Sequence, residues 1–151
     1  MRTLHADLLT TQTQGYPAGG YQPAVRCIFT SRNGATTYDY SFNPLVNTNR
    51  LIHVSQKEHI SEGESGLVLI SNYDHAVPTN LTGYYVDLGW GLNTASGLKY
   101  AEADGAVSPR LWVRTQSEIS GAAKGARPQL YTKFELIGIK EILKYLPLRL
   151  G

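Results

Sequence analysis

The residues of this 151-residue chain that invite a chemical reading are four histidines, a scatter of aspartates and a single cysteine. His53 and His59, with Glu58 between them, form the closest metal-like cluster. On one extended strand His53 and Glu58 fall on opposite faces, so that strand cannot present both to one ion, and solvent-facing histidines are the expected outcome. Gly63-Glu64-Ser65-Gly66 has one residue too few for a serine nucleophile elbow, and a strand follows it where a helix is required. Asp39, Asp74, Asp87 and Asp104 are dispersed in or beside turns or on alternating strand faces, whereas paired-carboxylate catalysis holds two carboxyls close to one bond. Cys27 has no second cysteine to pair with and reads as a small buried hydrophobe on a strand. The sequence therefore predicts no catalytic residue, no cofactor-binding residue and no metal ligand, and a protein that is not an enzyme.

Gly89-Trp90-Gly91 lacks the strand-loop-helix setting of a phosphate cradle and is better read as close backbone packing or a bulge beside the tryptophan. Asn80-Leu81-Thr82 fits a glycosylation sequon, which matters only in a secreted protein. Tyr38, Tyr40, Tyr84 and Trp90 lie at strand spacing, with Trp112 further on, and such a stripe packs a core or a subunit interface, or else offers a platform for sugars. The net charge of +2 comes with no run of like charges, so nucleic acid is not the expected ligand. The N-terminus lacks the apolar stretch of a signal peptide, and no segment approaches the roughly 20 apolar residues of a membrane span. A soluble protein made without secretion is expected.

The elements that must carry these residues follow from periodicity. Length and a hydrophobic content of 42% suit one domain with a proper core, and the fifteen glycines and ten tyrosines favour strands and turns. Leu4, Leu8 and Leu9 have helical spacing, and Gln12 to Gly20 breaks it, which predicts a short helix and a flexible arm over residues 1–20. From Tyr21 the period becomes two: Val25, Cys27 and Phe29 share a face, and after Ser31-Arg32-Asn33-Gly34 so do Thr36, Tyr38, Tyr40 and Phe42. Asn33-Gly34 predicts a type I′ turn with positive φ at both residues. A third strand, Leu51 to Glu58 with Ile52 and Val54 inward, turns through Gly63 to pair with the apolar run Ser65 to Ser71. Past a Pro78-containing loop, Gly83 to Gly91 forms a strand with Tyr84, Val86, Leu88 and Trp90 on one face. A long polar excursion, Asn93 to Pro109, precedes a strand at Leu111 to Ile119, which pairs across the Ser120 to Pro128 loop with Leu130 to Ile137. These seven strands predict a mainly β fold, an antiparallel sandwich or small barrel over residues 21–138. Ile139, Ile142, Leu143 and Leu146 then make one face of a helix stopped by Pro147, so residues 139–151 form an amphipathic end that leads into a further domain or is covered by another subunit.

In this order the segments resemble the N-terminal β-domain of tail proteins of tailed bacteriophages, in the group of baseplate hub and late-control-D-type proteins. The resemblance rests on Leu51-Ile52-His53-Val54, then Ser65 to Ser71 ending in Asn72-Tyr73-Asp74, then Gly83-Tyr84-Tyr85-Val86-Asp87-Leu88-Gly89-Trp90-Gly91, Pro109-Arg110-Leu111-Trp112-Val113, and Phe134 to Ile139 entering a helix. It spans roughly residues 50 to 145, and typical members of that group are considerably longer.

What the resemblance implies is a structural protein of the virion tail, assembled in closed rotational symmetry, commonly a threefold ring, and bound to other tail proteins without a cofactor. Its localisation would be the virion, after synthesis in the host cytoplasm. The alternative is a carbohydrate-binding or host-recognition module on the same kind of sandwich. A hydrolase is the third reading, for which no nucleophile, base and orienter can be assembled.

Overall fold

The structure, a computed structural model, describes residues 6–13, 22–59, 63–94, 96–101, 110–121 and 129–145. A short helix, α1 (Ala6–Thr13), precedes eight strands: β1 (Pro23–Thr30), β2 (Thr37–Asp39), β3 (Leu51–His59), β4 (Gly63–Ser71), β5 (Tyr85–Thr94), β6 (Gly97–Tyr100), β7 (Leu111–Gly121) and β8 (Gln129–Gly138). A second helix, α2 (Ile139–Tyr145), follows. All strand pairs are antiparallel, in the order β2-β1-β5-β7-β8-β4-β3. β6 branches from β5 by the pairing Gly91↔Tyr100 to Thr94↔Gly97. The sheet does not close on itself, so the fold is consistent with the sandwich and not with a barrel.

Three local ribbons account for most of the sheet: β1 with β2, β3 with β4, and β7 with β8. They meet through one long-range strand. β5 pairs with β1 along its length on one edge, and on its other edge with β7 only at Tyr85 and Val86, before β6 takes over. Because that join is two residue pairs long, the sheet folds there and brings distant strands face to face. Phe29 on β1 and Phe134 on β8, with two strands between them in the sheet order, have ring centroids 4.8 Å apart. The inward residues form one cluster: Cys27 and Phe29, Val86 and Leu88, Leu111 and Val113, Phe134 and Leu136, Val68 and Ile70, closed by Leu51.

One end of this core is plugged by the loop between β4 and β5. Val77 and Leu81 are buried in the same cluster. Their backbone is held by side chains: Asn72 Oδ1 accepts the Val77 N–H at 3.0 Å, and Gln116 accepts from Leu81 N–H at 2.7 Å while donating to the Pro78 carbonyl at 2.6 Å. Buried backbone polar groups that lack a strand partner need such substitutes.

Four expectations are corrected. Asn33 stays outside the left-handed region, so the turn is not type I′. Asn33 Oδ1 instead accepts from the Ala35 N–H and the Ser31 hydroxyl, and Gly34 alone takes a positive φ, 73°, while its N–H bonds to the Ser31 carbonyl. Ile52 points outward, 54% exposed, because a bulge between Leu51 and His53 shifts the register and gives the inward place to Leu51. The polar excursion after Asn93 contains a strand, β6, so the described residues form eight strands where seven were expected. Trp90 shares the parity of Val86 and Leu88 but lies beyond the core, 41% exposed. On α1, Leu8 is buried and Leu9 is exposed; the arm expected up to Gly20, Leu146 and Pro147 lie outside the described residues.

Candidate functional site

An antiparallel sheet that remains open must end in strands with unused backbone groups. β2 is three residues long and is backed by the bridge between Val25 and Phe42, which blunts that end. β3 is different. It runs nine residues, pairs on one side with β4, and has no strand on its other side among the described residues. Such an edge offers a row of N–H and C=O groups as a template for another chain. Lys57, Glu58 and the bulge at its start are features that limit unplanned pairing, while Ile52 adds an exposed apolar side chain. Gln56 contributes an amide nitrogen that is buried with no hydrogen-bond partner among the described residues.

At the His59 end of β3 the strand meets α2. Ile139 and Lys140 from the helix, with Glu58 and His59 from β3 and Gly63 and Glu64 from β4, line a cavity of about 370 Å³. Ile139 and Leu143 are 51% and 50% exposed, so these two members of the apolar stripe stay half outside the fold. Of these two side chains Ile139 reaches the cavity at the end of the β3 edge.

The outer face of β5 carries a second feature. Alternation along the strand sends Tyr85 and Asp87 away from the core. The Arg110 guanidinium lies over the Tyr85 ring at 4.5 Å, its Nε is 4.0 Å from Asp87 Oδ1, and Trp112 is the cross-strand neighbour of Tyr85. Burial pushes the Asp87 carboxyl above its ordinary value, opposed by the charges of Arg110 and Arg26. Tyrosine, tryptophan and arginine are the side chains that most often anchor protein interfaces.

The Asn72-Tyr73-Asp74-His75 turn closes β4. Asn72 is buried and its side chain caps the loop, while Asp74 holds Arg50 through two hydrogen bonds, one of them 2.7 Å long from Nη1. That guanidinium keeps the Asp74 carboxyl well below the usual carboxylate range. Arg50 also lies 5.7 Å from the centre of the Tyr73 ring, which is 71% exposed. His75 has a φ of 55°, in the left-handed region that few non-glycine residues adopt, histidine more readily than most, and its N–H bonds to the Asn72 carbonyl.

No protein-family model matches the chain, and no curated protein is similar to it.

The residues singled out from sequence fall as follows. His53, Glu58 and His59 sit on β3, and no group of three His, Cys, Asp or Glu side chains among the described residues is placed to hold a metal ion. Ser65 lies inside β4, in extended backbone. Asp39, Asp74 and Asp87 lie on β2, in the β4 turn and on β5, and Asp104 is outside the described residues. Cys27 is fully buried, and desolvation, with Asp39 adding, drives its thiol far above the range in which a thiolate forms. Tyr38, Tyr40 and Tyr84 pack against the core, with Tyr40 edge-on to Phe29 at 5.7 Å, so they are not a free platform. Sequence reading missed Gln116 and the Arg110–Tyr85 stack. Both join residues far apart in the chain whose pairing depends on strand register.

Proposed function

We propose that the chain is a structural module of a tailed-bacteriophage tail, of the baseplate hub or tail-tip kind, that works by symmetric assembly with copies of itself and by contact with other tail proteins. In this reading it is a virion component and carries out no reaction. The observations that carry it are the long β3 edge and the half-exposed Ile139 and Leu143 of α2, the first of them at the cavity by the end of that edge. Backbone groups of an edge strand and apolar side chains of a helix are satisfied together when a second polypeptide lies along them. The segments behind the resemblance supply this side and its support: β3, β4 with its Asn-x-Asp turn, β5, β7, and β8 running into α2. A closed ring is what the resemblance implies, since head-to-tail contacts that failed to close would give an open filament.

The test is size-exclusion chromatography with light scattering on the chain, alone and co-expressed with the products of the neighbouring reading frames. The expected result is a defined oligomer, trimeric if the ring reading holds, or a complex of fixed stoichiometry, which Ile52→Lys combined with Leu143→Lys dissociates. Both side chains are exposed, so the double variant should still fold. A wild-type chain that stays monomeric at high concentration and binds none of its neighbours overturns the proposal.

A further inference from the structure

On the outer face of the sheet, away from the β3 edge, a groove of about 480 Å³ runs between the β1, β2 and β6 strands and the loop that follows β2. Its place follows from register. Arg26 on β1 lies opposite Gly89 on β5, and Gly91 lies opposite Tyr100 on β6. A Cβ on Gly91 would stand 2.8 Å from the Tyr100 ring, so the absent side chain lets that ring lie across β5. There the Arg26 guanidinium stacks on it, 5.1 Å from its centre. Gly91 thus clears the strand for an arginine-tyrosine wall.

The opposite wall is a preorganised loop. Asn49 donates to the carbonyls of Asn43 and Val46 at 2.8 and 2.7 Å and accepts from the Asn43 N–H at 2.8 Å, while Asn43 Oδ1 accepts from the Leu45 N–H at 2.9 Å. These bonds hold the loop before any ligand arrives, which lowers the entropic cost of binding.

Between the walls the hydrogen-bonding inventory is unbalanced. Arg26 Nε is buried without a partner among the described residues. Asp39 uses Oδ1 to accept the Ser41 N–H at 2.9 Å and leaves Oδ2 without a bond among the described residues. Ser41 Oγ accepts from the Cys27 N–H at 3.0 Å and keeps its own hydrogen to give. The hydroxyls of Thr48 and Tyr100 also line the groove with no bond among the described residues. Unspent donors and a carboxylate acceptor meet there beside the apolar side chains of Ile28 and Leu98. The Arg26 and Asp39 charges oppose each other, so neither an anion nor a cation is favoured.

We propose that this groove binds a neutral sugar. A hydroxyl both donates and accepts, so adjacent sugar hydroxyls can bridge a carboxylate and an arginine, while the C–H face of the ring rests on apolar side chains. A polypeptide fits less well. The β1 strand beneath is paired on both sides, to β2 and to β5, and β2 is only three residues long, so an extended chain would find little main-chain ladder here. The site is independent of assembly through β3, and a monomer would bind as well as a ring. It also differs from the aromatic stripe of Tyr38, Tyr40, Tyr84 and Trp90.

The experiment is a titration of the isotope-labelled chain with glucose, galactose, mannose, N-acetylglucosamine and their common disaccharides, followed by amide chemical shifts. At least one sugar should shift the amides of Arg26, Asp39, Asn43 and residues 45–49 with a millimolar midpoint. Asp39→Asn, which keeps the oxygen facing the Ser41 N–H and removes the charge, should weaken that binding about tenfold, the cost of one charge-assisted hydrogen bond. Arg26→Lys should weaken it similarly, and Trp90→Ala should leave it unchanged. The proposal is overturned if no sugar perturbs these amides, if the shifts map elsewhere, or if both groove variants bind like the wild type. It is also overturned if unlabelled chain shifts the same amides with increasing concentration, since the groove is then a protein interface. Sugar binding by a strict monomer would refute the assembly reading and leave this one standing.

Discussion

Replacing Gly91 by alanine should destabilise the fold although the new methyl group is the smallest available. A Cβ at this position stands 2.2 Å from the Lys99 carbonyl oxygen and 3.0 Å from its carbon. Ordinary contact begins near 3.4 Å, so the β6 backbone must retreat by more than 1 Å from a strand to which it is joined by four residue pairs. Overpacking of this kind costs about 1–3 kcal/mol. A weakened hydrogen bond in the ladder adds about 1 kcal/mol. Against this, alanine restricts the unfolded chain and returns about 0.4–1 kcal/mol. The net expectation is a loss of about 1–3 kcal/mol, equivalent to a fall of roughly 3–10 °C in Tm for a domain of this size. Urea unfolding followed by tryptophan fluorescence reads the global value, and amide exchange over residues 97–101 shows whether β6 alone lets go. Gly34→Ala is the control, because a Cβ there meets nothing within 4 Å and only the φ of 73° is strained. A Gly91→Ala protein as stable as the wild type, with β6 equally protected, would refute the close approach on which the Arg26–Tyr100 wall depends.

Asn72→Ala should cost about 1–3 kcal/mol in denaturant unfolding, because it leaves the buried Val77 N–H without an acceptor; a neutral result would mean that the loop plug finds another partner. Asp74 and Glu135 both have carboxyls held below their ordinary values, by Arg50 and by Lys133. Their contribution to stability is therefore complete above the unfolded carboxylate pKa of about 4 and is lost as pH falls below it toward the folded values. Arg50→Gln should flatten the acid side of the stability profile, and an unchanged profile would remove the pair from the account. Asp87 has the opposite sign: burial raises its carboxyl, so its contribution is present below the unfolded pKa and fades as pH rises through the folded one. Asp87→Asn should raise stability at pH 7 by less than about 1 kcal/mol and change nothing at pH 3, as thermal melts at the two pH values would show.

The ribbons were legible in the sequence because their information is local. Val25, Cys27 and Phe29 alternate toward the core, the β3–β4 and β7–β8 pairs have their turns in sequence, and Ile139 marks the change to a helical period. What went astray depended on short side-chain bonds or on single inserted residues. Asn33 spends its amide oxygen on Ala35 and Ser31, which holds it in a turn where the left-handed conformation is left to Gly34. One bulge exchanges Leu51 for Ile52 on the inward face. β6 is four residues in a polar stretch, too short for a period to show. Neither the loop plug with Gln116 nor the groove of Arg26, Asp39 and Tyr100 could be read at all. Each gathers residues from strands whose relative register is fixed by the whole sheet.

Amide hydrogen exchange along β3, measured on the chain at low and high concentration, tests the assembly claim most directly. The outward-facing amides of Leu51 to His59 should exchange quickly in dilute solution and become protected as the oligomer forms, while β8 in the middle of the sheet stays protected throughout. Equal, rapid exchange of the β3 edge at every concentration, in a protein that nonetheless oligomerises, would contradict the account.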